Sequence, residues 1–137
     1  MLHNSPWVSL IEQHYAGDFL VTPLTSRKKL RREGRAMDHC VELYADFCRS
    51  GSFRIFSIQH AYDDRRATLS LLLKDGWWDV SECAGYSNAD VLTDYAEYDA
   101  EWDMMDVEYN SNIYYLAADI STRYNRAYAQ FTKGVQV

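Results

Sequence analysis

At 137 residues, with 47% hydrophobic and 25% charged side chains, the chain has the size and composition of one globular domain. Two prolines, six glycines and no Pro/Ser-rich stretch argue against a disordered tail or an interdomain linker, so residues 1–137 read as a single domain. The net charge is −6, and 11 tyrosines dominate the aromatic set, which suits half-buried positions and contact surfaces.

Ser5-Pro6 reads as a helix start, with Trp7, Leu10, Ile11, His14 and Tyr15 at helical spacing and Gly17 as the stop. Phe19-Leu20-Val21 is a short extended stretch ending at Thr22-Pro23. A basic helix capped by Thr25 or Ser26 is expected to run to Gly34. A second, amphipathic helix follows, with Met37, Cys40, Val41, Tyr44, Phe47 and Cys48 on its buried stripe and its end near Ser50-Gly51. The period then changes. Phe53 to His60, Ala67 to Lys74 and Trp77 to Cys83 each fit a strand, with Asp75-Gly76 as a two-residue hairpin turn. Gly85-Tyr86-Ser87-Asn88 breaks the sheet, and Ser87 or Asn88 can cap an acidic helix that Asn110-Ser111-Asn112 interrupts. A final helix carries Ile113, Leu116, Ala117, Ile120, Tyr124, Tyr128 and Phe131 on one face and ends at Gly134. The expected fold class is α+β: a three-stranded antiparallel meander, about 53–83, packed against N-terminal and C-terminal helices.

Charge is segregated. Arg27, Lys28, Lys29, Arg31, Arg32 and Arg35 place six of 14 basic residues within nine positions, whereas residues 75–122 hold 12 of the 20 acids and no Lys or Arg. Such a stretch repels itself unless a basic segment docks on it from within or a basic partner meets it from outside. The second account makes Asp94, Glu97, Tyr98, Glu101, Trp102, Asp106, Glu108 and Tyr109 the candidate partner-binding residues, tyrosine and tryptophan supplying anchors and carboxylates steering the encounter.

No apolar run approaches the ~18–20 residues of a membrane helix, and the first residues lack the regions of a signal peptide, so a cytoplasmic protein without membrane contact is expected. Three cysteines, an odd number, read as free thiols. Cys40, Cys48 and Cys83 have no C-x-x-C spacing and the four histidines are scattered, so neither a metal nor a cofactor is expected. No phosphate-cradling glycine loop, G-x-S-x-G or H-E-x-x-H occurs.

The segment Glu33-Gly34-Arg35-Ala36-Met37-Asp38-His39-Cys40-Val41-Glu42-Leu43-Tyr44 resembles the E-G-x-x-M-x-H-C-V-x-x-Y signature of PcfJ-like proteins. The resemblance continues through Gly51, Ile55-Phe56-Ser57-Ile58 and Ala67-Thr68-Leu69 to Gly85 and Asn88, covering roughly residues 30–90. Two positions depart from it: Glu82 stands where an amide is expected, and Glu42-Leu43 replaces a smaller pair. The resemblance implies a mobile-element or phage origin and maps the family's polar residues onto His39, Cys40, Thr68, Glu82 and Asn88. Those residues could assemble a site over the sheet, with His39, Glu82 and Asn88 as the catalytic set if the protein is an enzyme, and Cys40 and Thr68 secondary. In that reading Glu82, half-buried beside Trp77 or Trp78, would have a raised pKa. The opposing, purely structural reading makes Cys40 a small buried hydrophobe on the helix stripe and has His39, off that stripe, cap or brace the strand layer.

Binding is preferred to catalysis. The leading expectation is a small acidic phage or mobile-element protein in the cytoplasm of a bacterial host. It would inhibit or modulate a nucleic-acid-handling complex of anti-CRISPR type by docking on a basic protein surface. The acidic half disfavours direct nucleic-acid binding. The alternative is a small enzyme, or a conjugation or replication accessory protein, that uses the His39/Glu82/Asn88 site.

Overall fold

The computed structural model describes residues 5–89 and 104–135, with the side chains of residues 112–134 in the last helix. It is α+β, with five strands rather than three. β1 (His14–Ala16), β2 (Phe19–Pro23), β3 (Phe53–His60), β4 (Arg66–Lys74) and β5 (Trp77–Ala84) form one antiparallel sheet in sequential order. α1 (Arg27–Met37), a 3₁₀ turn (Val41–Tyr44) and α2 (Ala45–Ser50) lie over one face, and α3 (Met104–Val135) packs on the other. No described helix is long and apolar enough to cross a membrane.

Of the two additional strands, β2 is the extended stretch expected at Phe19-Leu20-Val21, here paired into the sheet, whereas β1 replaces the end of the expected N-terminal helix. A helix over residues 5–17 would hold Trp7, Leu10 and Ile11 on one stripe, but these residues enter different cores. Trp7 is buried with Leu24 and Leu30 on the α1 side, whereas Leu10 and Ile11 pack against the cluster on the α3 side. The segment therefore wraps around the sheet, tied by Trp7 N–H to the Thr25 carbonyl (3.0 Å) and Leu10 N–H to the Tyr124 hydroxyl (3.2 Å). Gly17, at φ +59°, turns the β1–β2 hairpin instead of stopping a helix.

α1 begins where the sequence places it, with the Ser26 hydroxyl accepting from Lys29 N–H, and it buries Leu30, Glu33, Gly34 and Met37. Its end lies at Asp38 rather than Gly34. Asp38 adopts φ 52°, and the Gly34 carbonyl receives N–H groups from Asp38 and His39. Gly34 is there for space: a Cβ on it would lie 2.7 Å from the His39 carbonyl oxygen as the chain folds back over the helix. The continuous helix expected over residues 37–50 is thus split. Met37, Val41 and Cys48 stay buried, whereas Cys40 and Phe47, expected on the buried stripe, are exposed.

The Asp75-Gly76 turn has positive φ at both residues (53° and 79°), as a type I′ hairpin requires. Residues 86–88 form a 3₁₀ turn, with Ser87 and Asn88 at positive φ and the Ser87 hydroxyl donating to the Asp38 carboxylate; they do not cap a helix that begins at once. α3 runs without a break through Asn110-Ser111-Asn112 and Gly134. Each polar residue there lowers helix propensity by only about 0.5–0.7 kcal/mol, which the burial of Ile113, Leu116, Ala117, Ile120 and Tyr124 outweighs. Phe131, expected on that face, is exposed. α3 also covers the edge strand: Asn125 accepts from Trp78 N–H (2.7 Å) and donates to its carbonyl (2.9 Å), which Ser121 Oγ joins at 2.6 Å.

Candidate functional site

The sheet face beneath α1 and the 3₁₀ turn is not uniformly apolar. On β3, Ile55 packs with Val41, Ala45 and Cys48, but on β4 the same face presents Arg66, Thr68 and Ser70. β5 joins this strip through an irregularity. Leu71 pairs with Val80 and Ser70 with Glu82, so Ser81 is an extra residue opposite a register shift. Without that bulge, strict alternation would put Glu82 on the α3 face with Trp78 and Val80. With it, Cys83 takes the core position and Glu82 turns to the α1 side.

The result is a cavity of about 450 Å³ framed by His39, Cys40, Thr68, Ser70, Glu82 and Asn88, with Leu43, Tyr44 and Phe47 as an apolar rim. All five polar residues expected from the sequence line it, brought from the α1 exit, a central strand, the edge strand and the turn that follows. Their surroundings differ from expectation in two ways. Glu82 is exposed and neither Trp77 nor Trp78 lines its cavity, so the desolvated carboxylate beside an indole is not formed. Cys40 is exposed at the rim rather than buried in a helix stripe.

His39 does brace the strand layer. Its Nε2 lies 2.9 Å from Thr68 Oγ1, and the Thr68 hydroxyl donates to Glu33 Oε2 at 2.6 Å. The other Glu33 oxygen accepts from the Arg66 guanidinium, and the Glu33 side chain is 1% exposed. Its position three residues after Leu30 on the buried stripe was the available signal, obscured by six surrounding bases. Nε2 of His39 is engaged by Thr68 and Nδ1 has no partner among the described residues, so no Cys–His pair with Cys40 is formed there.

An adjoining groove on the far side of His39 and Cys40 is lined by Arg31, Arg35 and Glu42. The basic segment is partly neutralised from within this layer. Arg31 grips both Glu42 oxygens at 3.1 Å, and Arg27 reaches Asp46 at 3.1 Å. The Arg31 guanidinium holds the Glu42 carboxyl below its usual range. Of the expected partner-binding residues, Asp94, Glu97, Tyr98, Glu101 and Trp102 lie outside the described residues. Asp106, Glu108 and Tyr109 lie on α3 where the backbone alone is described.

With an imidazole, a carboxylate, an amide and a thiol around one opening, the arrangement can bind a polar ligand and exchange protons with it. Among the described residues no cluster of His, Cys, Asp and Glu is arranged to hold a metal ion. The family model described as PcfJ-like protein matches residues 9–98, a span that contains all five strands and every side chain framing the cavity. No curated protein and no solved structure matches the chain.

Proposed function

This chain belongs to the PcfJ-like protein family, and from that premise we propose that the cavity under the 3₁₀ turn is the domain's ligand site, taking a small polar molecule. The observation that carries this reading is the convergence of His39, Cys40, Thr68, Glu82 and Asn88 on one opening. Two of them, Glu82 and Asn88, have side chains with no hydrogen-bond or ion-pair partner among the described residues. Unpartnered polar groups gathered at a concave surface with an apolar rim are what a binding site offers. His39 and Glu82 also give the site a proton acceptor and a carboxylate, the minimum for acid–base chemistry.

Ligand-observed NMR with a library of small amides, alcohols and amines tests the reading. Fragments are expected to bind the native protein and to be displaced when Cys40, at the rim, is alkylated with N-ethylmaleimide. Hits that survive both alkylation and His39→Ala would place binding elsewhere and refute it.

A second reading is favoured by charge. Residues 75–122 lack Lys and Arg, and Tyr114 and Tyr115 stand exposed side by side on α3, ring centroids 5.4 Å apart. These features support a phage or mobile-element protein that docks on a basic surface of a host nucleic-acid-handling complex, of anti-CRISPR type, in a bacterial cytoplasm. An affinity pull-down from a bacterial host tests it. The quadruple change Asp94→Lys, Glu97→Lys, Glu101→Lys and Glu108→Lys should abolish capture without lowering the melting temperature. Undiminished capture by the folded variant would end this reading.

A further inference from the structure

We infer that Glu33, buried and outside the cavity, sets the tautomer of His39 through Thr68, so that the ring carries its hydrogen on Nε2 and leaves Nδ1 bare. The Thr68 hydroxyl has one proton, and the Glu33 carboxylate 2.6 Å away is an acceptor. Arg66 occupies the other carboxylate oxygen as a donor, so Glu33 accepts on both sides. With its proton committed to Glu33, Thr68 can only accept from His39 at 2.9 Å, and the ring must carry its hydrogen on Nε2. A neutral imidazole has one N–H, which leaves Nδ1 as a lone pair. That nitrogen is screened from bulk water and has no partner among the described residues.

Glu33 is a positioning residue: it lies outside the cavity and decides which nitrogen of a cavity-lining imidazole carries the proton.

Nitrogen-15 spectra of the histidine-labelled full chain test this, with the His39 signals assigned by their loss in His39→Gln. The native protein should show protonated Nε2 and bare Nδ1 at His39 near neutral pH. Glu33→Gln places an amide N–H against Thr68, since Arg66 keeps the carbonyl oxygen. The hydroxyl should then turn its proton toward the ring, and His39 should switch to Nδ1–H. Thr68→Val leaves the Glu33–Arg66 pair in place and should give a mixture of tautomers. This second variant decides the matter if Glu33→Gln does not fold. A native ring protonated on Nδ1, an unchanged tautomer in folded Glu33→Gln, or an unchanged tautomer in Thr68→Val overturns the role of Glu33.

Discussion

The three cysteines sit in different environments, and that difference is measurable. Cys48 is fully buried, and desolvation pushes its thiol from an ordinary 9.0 up to about 12, against the pull of Arg54 and Arg49. Cys83 is buried and Cys40 is exposed. In the native protein at mildly alkaline pH, an aromatic disulfide reagent should titrate one thiol quickly, and peptide mapping should locate it at Cys40. Rapid reaction of all three would contradict the burial of the other two. Cys48 also ties stability to pH. Above pH 9 the unfolded chain releases this proton while the folded chain keeps it to about 12. Stability therefore falls as pH rises through that window, at a rate approaching about 1.4 kcal/mol per unit. Urea unfolding should show this slope in the native chain and a shallower one in Cys48→Ala. Gly34→Ala should destabilise by about 1–3 kcal/mol, as for other overpacked sites, because the backbone carbonyl of His39 cannot move aside as a flexible side chain would. A chemical-denaturation midpoint equal to that of the native chain would show that the close approach is relaxed.

At the scale of elements, the parts legible in the sequence were those specified locally. Strands 53–60, 66–74 and 77–84 match the expected period within a residue, and Asp75-Gly76 forms the expected turn. Gly76→Val, at φ +79° with open space around it, should cost about 1–2 kcal/mol through backbone strain alone. A shift in unfolding midpoint too small to measure would remove the type I′ assignment. The misread elements depend on distant partners. Residues 5–13 keep helical spacing of apolar residues but divide them between two cores. The split after Met37 follows from Gly34 admitting a carbonyl from outside its helix, which no local pattern announces. The β5 bulge that aims Glu82 left a faint local trace, two polar residues in succession at Ser81-Glu82 before Cys83, where strict alternation would have put Glu82 in the apolar core.

For the whole molecule, two helical layers enclose a sheet whose faces have different tasks. The α3 face is an apolar core from Phe19 to Tyr124, while the α1 face grades from apolar at β3 into the polar opening at β4 and β5. The family signature was the most informative part of the sequence because its polar residues are set by that opening rather than by any one element. Glu33, inside the signature yet unassigned, shows the limit of reading residues by type: on a helix rich in bases an acid looks like a surface counter-charge, and its burial emerges only from packing. The claim that this opening binds a ligand, and does not merely stiffen the sheet, turns on Glu82. Its carboxylate is exposed and without a partner among the described residues, so Glu82→Gln should leave the fold untouched. The decisive measurement is the affinity of the tightest fragment for native and Glu82→Gln protein, read beside the two melting temperatures. The account predicts equal melting temperatures and an affinity at least tenfold weaker, about 1.4 kcal/mol. Equal affinities at equal melting temperatures would contradict it.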